Sequence, residues 1–99
     1  MDLLLSSINY AESLVRPAED ERTLRAAIDA IAALRIRVVT ADPVIARDAA
    51  RNRSLGISLA DGFALATAAA HDATLASFDR RVRRALRPAG LSLCPALKT

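Results

Sequence analysis

Three carboxylates lie far apart in the chain, each in apolar company: Glu12 in "NYAESLV", Asp61 in "SLADGFALATA" and Asp79 in "LASFDRR". If they converge, they offer hard oxygen ligands, the kind that Mg²⁺ takes while keeping several waters. A cation held that way activates water and offsets charge on a phosphodiester under attack. Arg80, Arg81, Arg83 and Arg84 follow Asp79 closely and are suited to guiding a nucleic-acid backbone. Each of these features also has a plain structural reading. Ser58 and Asp61 form S-x-x-D, a capping-box pattern. Asp79 is a good N-cap for the basic helix after it. Glu12 reads equally as an ordinary exposed helix residue, and the arginine run as a solvated face.

The remaining polar residues read as structural. Asp42 before Pro43 is a helix cap, and Asp48 with Arg51 nearby is an exposed ion pair. His71 and Asp72 form a solvated helix end. Tyr10 and Phe63 pack in the interior rather than stacking on bases.

The elements that must position the three acids alternate. "DLLLSS" reads as a short buried strand, and "INYAESLVRP" as a helix stopped near Pro17. "AEDERTLRAAIDAIAALR" is an amphipathic helix with Leu24, Ile28, Ile31 and Leu34 on its inner face. "IRVVT" is a β-branched strand. "DPVIARDAARNRSLG" opens on an Asp cap and closes on Gly56. "SLADGFALATAAAHD" is the next helix, followed by strand "ATLASF", basic helix "DRRVRRALRPAG" and strand "LSLC". Short apolar strands alternating with helices predict an α/β fold, a parallel sheet covered on both faces.

That architecture gives the acids a geometry. The helix from Asp61 to Asp72 rises roughly 16 Å. The strand from Ala73 to Phe78 returns by roughly 16 Å. Asp79 therefore comes back to the level of Asp61, at the carboxyl edge of the sheet, where open α/β sheets bind their ligands. Glu12, about one turn into the helix after the first strand, belongs to the same edge.

Composition bounds the rest. With 99 residues the chain is one domain; hydrophobic residues make up 53% and aromatics only 3%, so the core must be aliphatic and alanine-rich. The single Cys94 excludes an internal disulfide and a cysteine zinc site, and one histidine excludes a histidine-rich one. No secretory signal and no membrane span is legible, so the cytoplasm is the expected compartment and no membrane is a partner. The net charge is +3, and nearly all of the cationic residues are arginines concentrated in the second half. That permits a polyanionic partner, and it equally fits the codon bias of a GC-rich genome.

The order "LLLSSINYAESLV" followed by "SLADGFALATAAAHDATLASFDRRV" resembles the PIN-domain family, and within it the VapC-type toxins of bacterial toxin–antitoxin pairs. The resemblance runs from Leu3 to Leu93. It implies a PIN-like three-layer fold with a parallel sheet and helices on both faces. It also implies a Mg²⁺- or Mn²⁺-dependent endoribonuclease that cuts RNA, is restrained by a small antitoxin protein and usually forms homodimers. Carried over residue by residue, the family's acidic site, catalytic and metal-holding, falls on Glu12, Asp61 and Asp79.

One departure bears on activity. Family members open with a strand carrying another catalytic Asp, in a motif such as D-x-S. This chain opens on the counterpart of the second strand, and Asp2 precedes that strand, out of place as a substitute. The resemblance thus implies a single PIN-like domain over 1–99, incomplete at its N-terminus. A start assigned too late, a decayed gene, or a second chain filling the gap would account for it. Loss of a central strand predicts exposed backbone and apolar side chains beside "LLLSS". Three functional readings follow: a ribonuclease, a catalytically inactive truncated PIN fragment that only binds antitoxin or RNA, and an α/β domain whose acids are all caps.

Overall fold

Three consecutive leucines begin the first strand, and their burial sets the layers. The computed structural model of the chain describes residues 3–71 and 74–75. Strand β1 spans Leu3–Ser6, and within it Leu4 and Leu5 are both fully buried. Successive strand residues point to opposite faces, so burial of both neighbours requires cover on both faces. Leu5 packs with Ala27, Ile31 and Ile36, flanked by Leu3, Tyr10 and Leu14. Leu4 packs on the other side with Ala64, flanked by Val39 and Ala68.

The chain supplies that cover in order. Helix α1 is Ser7–Leu14, capped by Ser6, whose Oγ accepts from Ile8 N at 3.1 Å. A 3₁₀ turn at Pro17–Glu19 leads to helix α2, Glu21–Ala33. Strand β2 is Ile36–Val39, and helices α3, Pro43–Asn52, and α4, Leu59–His71, precede strand β3 at Thr74–Leu75. The sheet order is β2-β1-β3 with both pairings parallel, Leu3 facing Ile36 on one side and Thr74 on the other. Helices α1 and α2 cover one face and α4 the other, with α3 packed outside α4 through Ile45, Ala49 and Ala66. This is the expected three-layer α/β arrangement.

Two expectations are corrected. The amphipathic helix begins at Glu21, not at Ala18. Asp20 adopts an extended conformation and its carboxylate accepts from Arg22 N at 2.7 Å, which starts the helix after the 3₁₀ turn. The exposure expected beside "LLLSS" is not found at Leu3 and Leu4 among the described residues. Strand β1 has a partner on each edge, because β3 pairs with Leu3 and Leu4 directly. At those two positions the ladder fills the edge that a missing neighbour was expected to leave open. The inner face of α2 is as expected: Ile31 is buried, Leu24, Ile28 and Leu34 are half-buried, and Arg25, Asp29 and Ala32 are exposed. This helix ends on Arg35 with φ 56°, a left-handed stop made without glycine.

Helix α3 starts as read from the sequence, with Asp42 accepting from Ile45 N at 2.9 Å and Pro43 in the first turn. After Asn52 a 3₁₀ turn, Arg53–Leu55, closes on Gly56 at φ 78°. Helix α4 then returns against α3 at very close range. A Cβ on Gly62 would come within 2.7 Å of Ala49 O. The obstacle is backbone, which has no rotamer to yield. Gly62→Ala is therefore expected to destabilise the chain by about 1–3 kcal/mol, read as a lower melting temperature by far-UV circular dichroism. Gly56→Ala, with open space around it but a left-handed φ, is expected to cost about 1–2 kcal/mol.

Candidate functional site

The carboxyl ends of β1 and β2 meet the start of α1. Ser7 Oγ accepts from Ala41 N at 3.2 Å, tying the exit of β2 to the first residue of α1. From β1 the chain crosses to β2 under one face, and from β2 it crosses to β3 under the other. The connections on the two sides of β1 thus run over opposite faces, which is the topology that opens a crevice at the carboxyl edge.

Helix α4 brings its first turn to this edge. Ser58 is its N-cap: Ser58 O accepts from Gly62 N at 2.9 Å, and Ser58 Oγ accepts from Asp61 N at 3.1 Å. The serine half of the capping-box pattern read from the sequence is therefore used, with Asp61 at the third helical position. That does not exhaust Asp61. Its side chain is in one of the few buried polar residues, at 2% exposure. A carboxylate that only capped a helix would be expected to lie in solvent, because burying its charge is costly.

The layers touch here. Asn9, in the buried line of α1, donates from Nδ2 to Ala60 O at 3.0 Å across 51 residues of sequence. Asn52, at the end of α3, donates from Nδ2 to Gly62 O at 3.2 Å. Asn9 is 1% exposed, and its Oδ1 has no hydrogen-bond partner among the described residues. A buried amide oxygen left unsatisfied costs about 1–3 kcal/mol. The other buried hydroxyls on these helices bond back within their own helix: Ser13 Oγ to Tyr10 O and Thr67 Oγ1 to Phe63 O, both at 2.7 Å.

Of the three acids singled out in the sequence, two are described. Asp61 is buried at the start of α4. Glu12 is exposed on α1, three residues beyond Asn9 and so about one helical turn from the contact with α4. Asp79 lies outside the described residues, as do Asp72, Arg80, Arg81, Arg83, Arg84 and Cys94. Among the described residues no group of three or more His, Cys, Asp or Glu is placed to hold a metal ion. The two carboxylates that are described, Asp61 and Glu12, are hard oxygen donors of the type Mg²⁺ and Mn²⁺ accept.

The structural readings of the other polar residues hold. Asp48 and Arg51 form a solvent-facing ion pair, of little energetic weight. His71 is exposed at the end of α4. Tyr10 packs against the Leu5 cluster and Phe63 against the Ile45 cluster. Sequence reasoning missed Asn9 and the role of Asn52. A signal was present: Asn9 and Ser13 stand four apart, so a polar line follows the inward phase of a short helix.

The pattern of the family described as PIN domain matches residues 2–87. No curated protein and no solved structure matches the chain. Among the described residues no helix is long and apolar enough to cross a membrane.

Ser58→Ala removes the acceptor for Asp61 N while leaving every carboxylate in place. It is expected to lower stability by about 1 kcal/mol, measured as a shifted urea midpoint with an unchanged slope.

Proposed function

The chain belongs to the PIN-domain family, and from that premise we propose that it is a metal-dependent endoribonuclease, the toxin component of a VapBC-type toxin–antitoxin system. PIN domains are nuclease-type domains, and the finer reading comes from the residues. Its main support is the buried Asp61, set at the carboxyl edge of a parallel sheet where α4 meets the helix that bears Glu12. In this reading Glu12, Asp61 and Asp79 hold Mg²⁺ or Mn²⁺. When bound, such a cation activates water and offsets charge on the phosphodiester.

The chain's own groups divide the remaining work. Asp61 is fixed by burial and by a capped helix start, so its carboxylate costs little reorganisation on binding. Glu12 stands on the exposed side, at the mouth, where an RNA strand can approach. Asp79 completes the acidic set, and Arg80, Arg81, Arg83 and Arg84 attract the RNA backbone. A small antitoxin protein restrains the enzyme, the active form is a homodimer, and the cytoplasm is the compartment where these partners meet.

The test pairs calorimetric Mn²⁺ titration with RNA cleavage for the wild type, Asp61→Asn and Asp79→Asn. The expected result is Mn²⁺ binding by the wild type, and loss of both binding and cleavage by more than about 100-fold in each folded variant. Unchanged cleavage in both variants would sink the assignment. A folded wild type that binds no Mn²⁺ would leave the other reading, a PIN fragment that engages antitoxin or RNA without turnover.

A further inference from the structure

The first turn of α4 is gripped from two sides by side-chain amides. Asn9 Nδ2 donates to Ala60 O and Asn52 Nδ2 donates to Gly62 O. Those two carbonyls are the ones immediately before and after Asp61. The grips come from different elements, α1 on one side and the end of α3 on the other.

Helix formation does not require either amide. Carbonyls in a first turn receive helical N–H groups from four residues on. What the asparagines add is location: they fix the turn relative to α1 and α3. Asn9 does so although its Oδ1 finds no partner among the described residues. An apolar side chain with the same branching would fill the space without an unsatisfied oxygen. A residue that breaks a packing rule in this way points to a role other than packing.

We propose that Asn9 and Asn52 are positioning residues that clamp the Asp61 turn. The clamp holds the buried carboxylate in a set place relative to Glu12 and so governs the affinity of the site for its divalent cation. This rests on the reading of Asp61 as a metal ligand. Neither asparagine touches the cation in this scheme; both act through the backbone on either side of Asp61. Asn9 has the larger share, because it sits on the same helix as Glu12 and so couples two ligands to each other. Asn52 refers α4 to α3, where the contact of Gly62 with Ala49 already limits movement.

The test uses the whole 99-residue chain and Mn²⁺ as the probe. Wild type, Asp61→Asn, Asn9→Leu and Asn52→Ala are titrated by calorimetry, each after circular dichroism shows it folded and a melt gives its midpoint. Asn9→Leu is expected to weaken Mn²⁺ binding about 10–100-fold, and Asn52→Ala by a smaller factor, without a matching fall in melting temperature. A purely structural role would do the reverse, lowering the midpoint while the folded variant bound Mn²⁺ as before. Wild-type affinity in both asparagine variants overturns the clamp. If Asn9→Leu does not fold, Asn52→Ala decides by the same criterion. If the wild type binds no Mn²⁺, or Asp61→Asn binds it equally, the metal reading itself fails and the clamp with it. That outcome is read from those two proteins alone, before any asparagine variant is compared.

Discussion

The burial of β1 on both faces is the condition from which the rest follows. Leu4 and Leu5 point opposite ways, and both are removed from water. One sheet face must then be closed by α1 and α2 and the other by α4. Each strand edge of β1 must also be paired, since buried backbone groups without partners are costly. Strands β2 and β3 meet that demand from opposite sides. The chain can deliver both only by crossing over one face and then over the other, and that reversal places the crevice at the carboxyl edge.

The same edge is where the interior turns polar. Ser6, Asn9 and Asp61 are all nearly without exposure, and all lie where β1 ends or where α1 meets α4. The other buried polar side chains among the described residues, Ser13 and Thr67, bond back within their own helices. Concentrating unsatisfied and chargeable groups in one place raises their electrostatic influence, because less water screens them. It also makes their positions matter more than their number. A turn whose carbonyls are held by two neighbouring elements meets that requirement better than a turn at the end of a loosely packed helix.

How much of this was legible depends on the range over which each signal acts. Helix starts were mostly local matters. Asp42–Pro43 and Ser58 both cap as their dipeptides and spacing suggested. The start of α2 was misplaced because Asp20 has two neighbours that suit a helix, and only its extended backbone shows which side of it the helix lies on. The stop at Arg35 carried no glycine to announce it. The expected return of Asp79 to the level of Asp61 rested on element lengths, which add without knowledge of contacts. The pairing of β1 with β3 was not legible in that way, since strand partners are chosen across the whole chain. Asn9 and Asn52 were opaque for the same reason: each gains its meaning from a carbonyl that is distant in sequence or hidden behind a turn. Asp79 was reached from the same element lengths and again through the family resemblance, and its surroundings lie outside the described residues.

The close approach of α3 and α4 has a thermal consequence. Ala49, Gly62, Ala64 and Ala66 make much of that side of the molecule, and none has a side-chain torsion to freeze on folding. The layer therefore forms without a side-chain entropy cost at these positions, but each of its residues hides little apolar area. Heat capacity on unfolding scales with the apolar area that becomes exposed. The α3–α4 layer, meeting through alanine and glycine, therefore adds little to the heat-capacity increment of the domain. The contribution of that layer to stability accordingly varies gently with temperature.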